Sequence, residues 1–151
     1  YNGGVHVPLI IAGPAIHTPG RDVDALVNGT DLFATILELA GVDPSTTIPA
    51  NVTHDSVSML PYLMDPTTAP QRTWIMSELF SPQSMASDGK TIRDETYKLI
   101  KFSNGNQAFY DLSVDPYEAT DLLLMGALTA EQHAGYDHLD DSLTRLLATE
   151  D

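Results

Sequence analysis

Five histidines are the side chains of this sequence best suited to act as ligands or acid–base groups at neutral pH. They are His6, His17, His54, His133 and His138. None stands at the spacing of a zinc-binding helix or belongs to a Ser-His-Asp arrangement. Ser56 and Ser58 lack the flanking glycines of a nucleophile elbow. These residues therefore form no recognisable hydrolase motif of their own.

Two histidines and two aspartates cluster near the C-terminus, on adjacent turns of a predicted helix: His133, Asp137, His138 and Asp141. Imidazole and carboxylate groups so placed could bind a metal ion. The pattern is more typical of a solvated helix face, which is the interpretation we favour. The run 137–141 also lacks the glycine of a calcium-binding loop. We predict no catalytic residue and no metal site in this chain.

Cysteine is absent from all 151 residues. Disulfides, zinc–thiolate sites, iron–sulfur clusters and a cysteine nucleophile are therefore excluded within these residues. A glycine-rich phosphate loop is also missing, because Asn2-Gly3-Gly4 is short and leads into a predicted strand rather than a helix.

The net charge of −14 comes from 7 Lys and Arg against 21 Asp and Glu. A nucleic-acid or anionic-membrane binder needs a basic stripe, so we expect neither partner. No apolar run approaches the ~20 residues of a membrane span, which predicts a soluble chain. No basic and apolar leader opens the sequence, so we expect no signal peptide in this form.

The first part of the chain has one predicted strand and one predicted helix. The apolar run 5–12 indicates a strand, and Pro8 means that this strand either lies at a sheet edge or begins after residue 8. The spacing of apolar residues predicts a helix over 31–40, capped by Thr30 or Asp31. Its apolar stripe consists of Leu32, Phe33, Ile36, Leu37 and Ala40. Gly41 suits the left-handed position that ends such a helix.

Loops are predicted between this helix and the second part of the chain. The stretch 43–53 is rich in Pro, Ser and Thr, and 65–71 contains two prolines. Between them, 56–64 is typical of a short helix interrupted by Pro61.

The second part of the chain predicts a small antiparallel sheet and a helix. Alternation over 74–79 and a brief strand at 91–93 precede two strands at 97–102 and 107–112. Asn104-Gly105 between the last two strands is a strong hairpin signal. A capping box at Thr129 opens the final helix, whose apolar stripe is Tyr136, Leu139, Leu143, Leu146 and Leu147.

These elements indicate two parts. Residues 1–70 predict the end of a main α/β domain, with strand 5–12, helix 31–40 and loops; residues 71–151 predict a small C-terminal α+β subdomain. One strand and one helix cannot bury their own apolar faces, so the first part requires a larger sheet to join.

Six segments in order resemble the C-terminal part of a sulfatase of the alkaline-phosphatase superfamily, arylsulfatase-like. They are Tyr1–Ile10, Gly13-Pro14 with Pro19-Gly20, Asn28–Gly41, Asp55–Leu63, Arg93 with Thr96–Ile100, and Phe109–Leu112 with Asp115-Pro116, Glu118 and Asp121-Leu122. The sequence departs from the family pattern at Ser56, where glycine is usual, and at Thr96, where arginine is usual.

The resemblance implies a C-terminal fragment of an alkaline-phosphatase-like α/β fold. It implies that the parent enzyme hydrolyses sulfate esters with calcium and a formylglycine made within a C/S-x-P-S/A-R signature. This chain has no such signature, so we expect it to be inactive alone and to require the N-terminal part of the parent enzyme as its partner.

Two alternatives remain open at this point. The parent enzyme could be a phosphodiesterase or phosphonate-ester hydrolase of the same superfamily. The chain could instead be an independent binding or structural module that shares this C-terminal architecture.

Tyr1 and His6 are the residues that the resemblance places beside the substrate of the parent enzyme. Glycines at Gly3 and Gly4 would let the backbone approach a ligand closely, and His6 would then present a donor to an anionic group. The competing interpretation, which we favour, is that His6 points into a sheet–helix interface.

Overall fold

The structure is a computed structural model that describes residues 2–52, 54–80 and 88–148. The chain divides into two compact units, Pro8–Thr73 and Trp74–Asp151, the latter also including Tyr1–Val7. The boundary lies near the predicted one after residue 70, but the first seven residues fall with the other unit. The assignment of 1–70 to the main domain of a larger enzyme stays a prediction.

The predicted strand over 5–12 is absent from the structure. A short helix, α1 (Asn2–Val5), is followed by irregular backbone over 6–12, and most of this segment is exposed. A strand exists only where its backbone groups pair with a neighbour, and every described strand lies in one sheet beyond Thr73. Apolar content alone therefore did not make this segment a strand.

The unit Pro8–Thr73 contains the predicted helix 31–40 as α2 (Asp31–Leu39), which ends one residue earlier. Gly41 takes φ of 75° after it, the left-handed conformation expected there. The predicted loop 43–53 contains a short helix, α3 (Pro44–Thr47), since Asp43 accepts the Ser45 N–H and proline suits a first turn.

Helix α4 (Leu60–Met64) begins later than the predicted helix over 56–64. Pro61 lies in its first turn, where a backbone N–H has no partner within the helix, so the proline opens α4 rather than interrupting it.

The second unit contains the predicted antiparallel sheet. Its strands run in chain order β1 (Ile75–Leu79), β2 (Gly89–Arg93), β3 (Tyr97–Phe102) and β4 (Gln107–Asp111). The hairpin predicted at Asn104-Gly105 is confirmed: β3 pairs with β4, and Gly105 has φ of 87°. Strand β2 is longer than the predicted 91–93, since it begins at Gly89.

The last helix, α5 (Ala130–Leu147), covers one face of the sheet. The capping box is confirmed, since the Thr129 hydroxyl accepts the Gln132 N–H at 3.2 Å and the Gln132 side chain accepts the Thr129 N–H at 2.9 Å. The fully buried core of this unit consists of Ile92, Leu99, Phe109, Leu139 and Leu143. No helix in the described part of the chain is long and apolar enough to cross a membrane.

Helix α5 lies unusually close to the sheet at one glycine. A Cβ atom on Gly135 would lie 2.3 Å from Cδ2 of Tyr97, in β3. The Tyr97 ring stacks on Phe109 at a centroid distance of 5.2 Å, and Phe109 meets Tyr136 of α5 edge-on at 5.5 Å. The absence of a side chain at Gly135 leaves the room that this aromatic layer occupies.

Candidate functional site

The residues predicted to lie beside a substrate are at the N-terminal end. Tyr1 lies outside the described residues, and His6 follows α1 with an exposed side chain. The packing of His6 in a sheet–helix interface of the parent enzyme stays a prediction. A Cβ atom added at Gly4 would meet nothing within 4 Å, so no described residue requires glycine there.

The four candidate ligands of α5 are exposed side chains on a helix surface: His133, Asp137, His138 and Asp141. Within residues 2–52, 54–80 and 88–148, no three His, Asp or Glu side chains are grouped to hold a metal ion. The chain also has neither a cysteine nor the signature that carries formylglycine. The described side chains therefore offer no group that fits calcium, and the sequence has no position that fits formylglycine.

The structure brings together a polar cluster that the sequence did not reveal, at the start of α2. We call it the α2 anchor: Asp31, Thr35, Ser56 and Arg72. Asp31 is only 1% exposed. Its carboxylate accepts two hydrogen bonds from the Arg72 guanidinium, one at 3.1 Å from Nε to Oδ2 and a second from Nη2 to Oδ1. A bidentate pair of this kind is both strong and directional.

Two backbone N–H groups complete the environment of Asp31. Asn28 donates to Oδ2 at 2.8 Å, and Val57 donates to Oδ1 at 2.9 Å. Burial by itself would raise the pKa of Asp31. The hydrogen bonds and positive charge of Arg72, together with the two N–H groups, lower this pKa by more than burial raises it. The pKa of Asp31 therefore lies below its ordinary value, and the carboxylate is ionised at neutral pH.

Ser56 and Thr35 tie the following segment to α2. The Ser56 hydroxyl accepts the Ala34 N–H at 2.9 Å and donates to the Thr30 carbonyl at 2.7 Å. Thr35 accepts the Met59 N–H at 2.8 Å. Neither predicted cap is formed. The Thr30 side chain makes no cap hydrogen bond, and the Asp31 carboxylate accepts the N–H groups of Asn28 and Val57 instead.

A second buried ion pair lies in the sheet unit. Lys98 of β3 donates to Glu118 at 2.6 Å, and both side chains are 1% exposed. Glu118 has φ of 57°, the only positive φ among described non-glycine residues. Burial lowers the pKa of nearby Arg93, and this effect exceeds the rise in pKa that the negative charges of Asp94, Glu118 and Glu95 cause. This pair fastens the chain after β4 to the sheet, and we assign it no catalytic role.

The sequence profile of one family, described as N-sulphoglucosamine sulphohydrolase, C-terminal, matches residues 1–146. The chain belongs to this family of sulfatase C-terminal domains. The resemblance based on the six segments is thereby confirmed.

Individual sulfatases match along most of the chain. Arylsulfatase K of Xenopus laevis is 33% identical over 132 residues, which are 81% of this chain and 23% of that protein. Delta 4,5-hexuronate-2-O-sulfatase of Bacteroides thetaiotaomicron is 30% identical over 152 residues, 96% of this chain and 30% of its own length. The chain thus spans less than a third of each of these sulfatases.

Solved structures support the same fold class. A crystal structure from Bacteroides thetaiotaomicron described as a sulfatase superposes with a TM-score of 0.69 at 28% identity, covering 89% of this chain and 28% of that one. A sulfatase from Bacteroides fragilis has a TM-score of 0.62 at 17% identity, which bears on the fold alone. The α/β architecture, with its small antiparallel sheet and C-terminal helix, is that of a sulfatase C-terminal region.

Proposed function

We propose that this chain is the C-terminal portion of a longer hydrolase that cleaves sulfate esters, and that it is inactive without the N-terminal part. One observation carries the proposal: a sulfatase C-terminal profile matches residues 1–146, while the matched sulfatases are three to four times longer, since the chain covers 23% and 30% of their lengths.

The chemistry of sulfate-ester cleavage supports the proposal that the catalytic groups lie in the N-terminal part. Sulfate-ester cleavage requires a nucleophile and positive groups that stabilise the negative charge developing on the sulfate and the leaving oxygen. The cations of the two ion pairs described above, Arg72 and Lys98, are already paired with Asp31 and Glu118. With a net charge of −14, this chain is unsuited to attract a sulfate ester, so those groups must come from the N-terminal part.

The first test compares the chain with its parent. The sequence immediately before Tyr1 should lead back to a C/S-x-P-S/A-R signature. The purified chain should not hydrolyse 4-nitrophenyl sulfate or 4-nitrophenyl phosphate, with or without calcium, whereas the full-length protein should hydrolyse the sulfate. Turnover by the chain alone that survives repurification would overturn the proposal.

The two alternatives give different results in the same experiment. A phosphodiesterase or phosphonate-ester hydrolase would prefer bis(4-nitrophenyl) phosphate to the sulfate. An independent module would have no hydrolase signature upstream and no turnover of either ester. The names of the sulfatases reported above favour neither alternative.

We further propose a sulfated sugar as the substrate class. The family description names N-sulphoglucosamine, and one relative is named for a sulfate on an unsaturated hexuronate. The full-length protein should therefore desulfate unsaturated 2-O-sulfated disaccharides or N-sulfated glucosamine with a kcat/KM above that for 4-nitrophenyl sulfate. Equal or better use of the aryl ester would contradict this assignment.

His6, with Tyr1, is proposed to lie beside that substrate. Support comes from the exposed position of His6 in this chain and from the open space at Gly4. In the full-length enzyme, His6→Ala should raise KM or lower kcat at least ~10-fold, which corresponds to about 1.4 kcal/mol, without lowering Tm. Unchanged activity with a lower Tm would make His6 structural.

A further inference from the structure

The sequence contains three Asn-Gly pairs, and the structure gives them different surroundings. Glycine after asparagine leaves the following backbone nitrogen unhindered, so such a pair is prone to loss of the side-chain amide. Asn2-Gly3 lies in helix α1, whereas Asn28-Gly29 precedes α2 and Asn104-Gly105 forms the tip of the β3–β4 hairpin. The two pairs that lie in turns differ in how firmly they are held.

The side chain of Asn104 is exposed and folded back on the turn that follows it. Its Oδ1 accepts the Asn106 N–H at 2.9 Å, which makes an Asx turn. The ring closed by this hydrogen bond contains both Cγ of Asn104 and the backbone nitrogen of Gly105, and it holds these two atoms close together. No described residue accepts a hydrogen bond from the side-chain nitrogen of Asn104, so this nitrogen can leave into water.

One hydrogen bond opposes attack by the Gly105 nitrogen on that Cγ. The Gly105 N–H donates to the Phe102 carbonyl at 2.9 Å, and it must lose this partner and its proton before the nitrogen can react. The bond spans an exposed turn, since residues 103–107 are all exposed. Backbone bonds at such loop tips open locally at little cost in free energy. The hairpin therefore slows the reaction at Asn104 without preventing it.

Asn28 is held on both sides by a buried residue. Its N–H donates to Oδ2 of Asp31 at 2.8 Å, and its carbonyl accepts the Asp31 N–H at 3.0 Å. Asp31 is itself buried and bonded to the guanidinium of Arg72. Freeing Asn28 therefore requires that the α2 anchor be disturbed, and breaking a buried ion pair is strongly unfavourable.

We propose that Asn104 is a site of spontaneous deamidation in the folded protein and reacts faster there than Asn28. The deprotonated nitrogen of Gly105 attacks Cγ of Asn104 and forms a new C–N bond. The side-chain nitrogen leaves as ammonia and takes up the proton that Gly105 has lost, so the product is a cyclic imide. Water then opens this imide: cleavage of the new C–N bond gives aspartate, and cleavage of the original peptide C–N bond gives isoaspartate.

Both products change the hairpin tip. Each adds a negative charge to a chain whose net charge is already −14. Isoaspartate also moves the Cβ atom of residue 104 into the main chain and so lengthens the loop between β3 and β4. Loop length selects the turn type of a hairpin, so this modification should weaken the pairing of the two strands next to the turn.

Peptide mass spectrometry of the full-length protein, incubated in mildly alkaline buffer, tests the proposal. In the folded protein, deamidation of Asn104 should be at least tenfold faster than that of Asn28. In urea that unfolds the protein, the two rates should differ by less than about threefold, because each asparagine then precedes glycine in a chain without fixed structure. Asn104→Gln is the control, since glutamine would have to close a larger ring, and the mass change should disappear from this segment.

Equal rates at Asn104 and Asn28 in the folded protein would overturn the proposal. An intact Asn104 in the folded protein, after the same residue has reacted fully in urea, would also overturn it, because the hairpin would then block the reaction. A mass change that persists in Asn104→Gln would assign the modification to Asn106 instead and would contradict the proposal. None of these measurements involves ester hydrolysis, so their outcome is independent of the function proposed above.

Discussion

The hydroxyl of Ser56 binds the first turn of helix α2 from 22 positions further along the chain, by accepting the Ala34 N–H at 2.9 Å. The same hydroxyl donates to the Thr30 carbonyl at 2.7 Å, so one side chain serves two backbone groups. In a regular α-helix the Ala34 N–H would donate to the Thr30 carbonyl four positions earlier, and here the Ser56 hydroxyl bridges these two groups. Glycine, usual at position 56 in the family pattern, cannot do this.

Removing this hydroxyl should therefore weaken α2. Ser56→Ala should lower the free energy of unfolding by about 0.5–1.5 kcal/mol, the net contribution of a typical hydrogen bond. Chemical denaturation followed by circular dichroism measures the change. Thr47→Ala, at an exposed position of α3, is the matched control and should stay within about 0.5 kcal/mol of the parent chain. Equal losses of unfolding free energy in the two variants would mean that the Ser56 hydrogen bonds contribute nothing to stability.

The Asp31–Arg72 pair should make stability depend on pH in a defined direction. Because the pKa of Asp31 is lowered on folding, the ionised carboxylate stabilises the chain above its unfolded pKa of about 3.9, and this contribution is lost as pH falls through the lower folded pKa. Arg72→Met should cost about 3–5 kcal/mol at pH 7, since it leaves a buried charge unpaired.

The difference in unfolding free energy between the parent chain and Arg72→Met should therefore narrow as pH falls, because without the guanidinium the buried Asp31 carboxylate becomes protonated at a higher pH in the folded variant than in the folded parent chain. Urea titrations between pH 7 and pH 3 provide the measurement. Arg145→Met, which alters an exposed arginine of α5, should show a small and pH-independent difference. A gap for Arg72→Met that stays constant down to pH 3 would contradict the role assigned to the pair.

Gly135 should resist the substitution that usually strengthens a helix. Alanine in a helix interior is normally about 0.5–1 kcal/mol more favourable than glycine. At Gly135 the added Cβ would lie 2.3 Å from the buried Tyr97 ring, so Gly135→Ala should instead destabilise the chain by about 1–3 kcal/mol.

Gly29→Ala is the comparison for this variant, because a Cβ atom there meets nothing within 4 Å. Its Tm should match that of the parent chain, while the Tm of Gly135→Ala falls. A Tm for Gly135→Ala at or above the parent value would show that α5 can move away from β3 without a loss of stability.

Leu143 is, with Leu139, one of the two fully buried leucines that α5 adds to the core of its unit. Its side chain is 0% exposed against the sheet, and truncation of a buried leucine costs about 2–5 kcal/mol. Leu143→Ala should show a loss in that range by chemical denaturation. Leu124→Ala removes the same atoms from a side chain that is 82% exposed and should change stability by less than about 0.5 kcal/mol. A similarly small effect at Leu143 would place the α5 stripe outside the core.

The sequence by itself determined the elements whose signals are local. Asn104-Gly105, Gly41 and the capping box at Thr129 each act through residues within a few positions, so their geometry follows from neighbouring chemistry. The family could also be identified from the sequence, because each of the six resembling segments is a short run of residues and their order is read directly along the chain. The α5 stripe was also readable, because its period matches one helix face.

Only the tertiary structure decided which side of α2 is buried and what holds it there. Periodicity identified the apolar stripe but not its surroundings, and the distant partners Ser56 and Arg72 carry no local signal of their role. The segment 5–12 has the composition of a strand, yet a strand requires a paired neighbour, which composition does not provide. Burial and pairing depend on what other elements bring into contact, and that is settled by the fold.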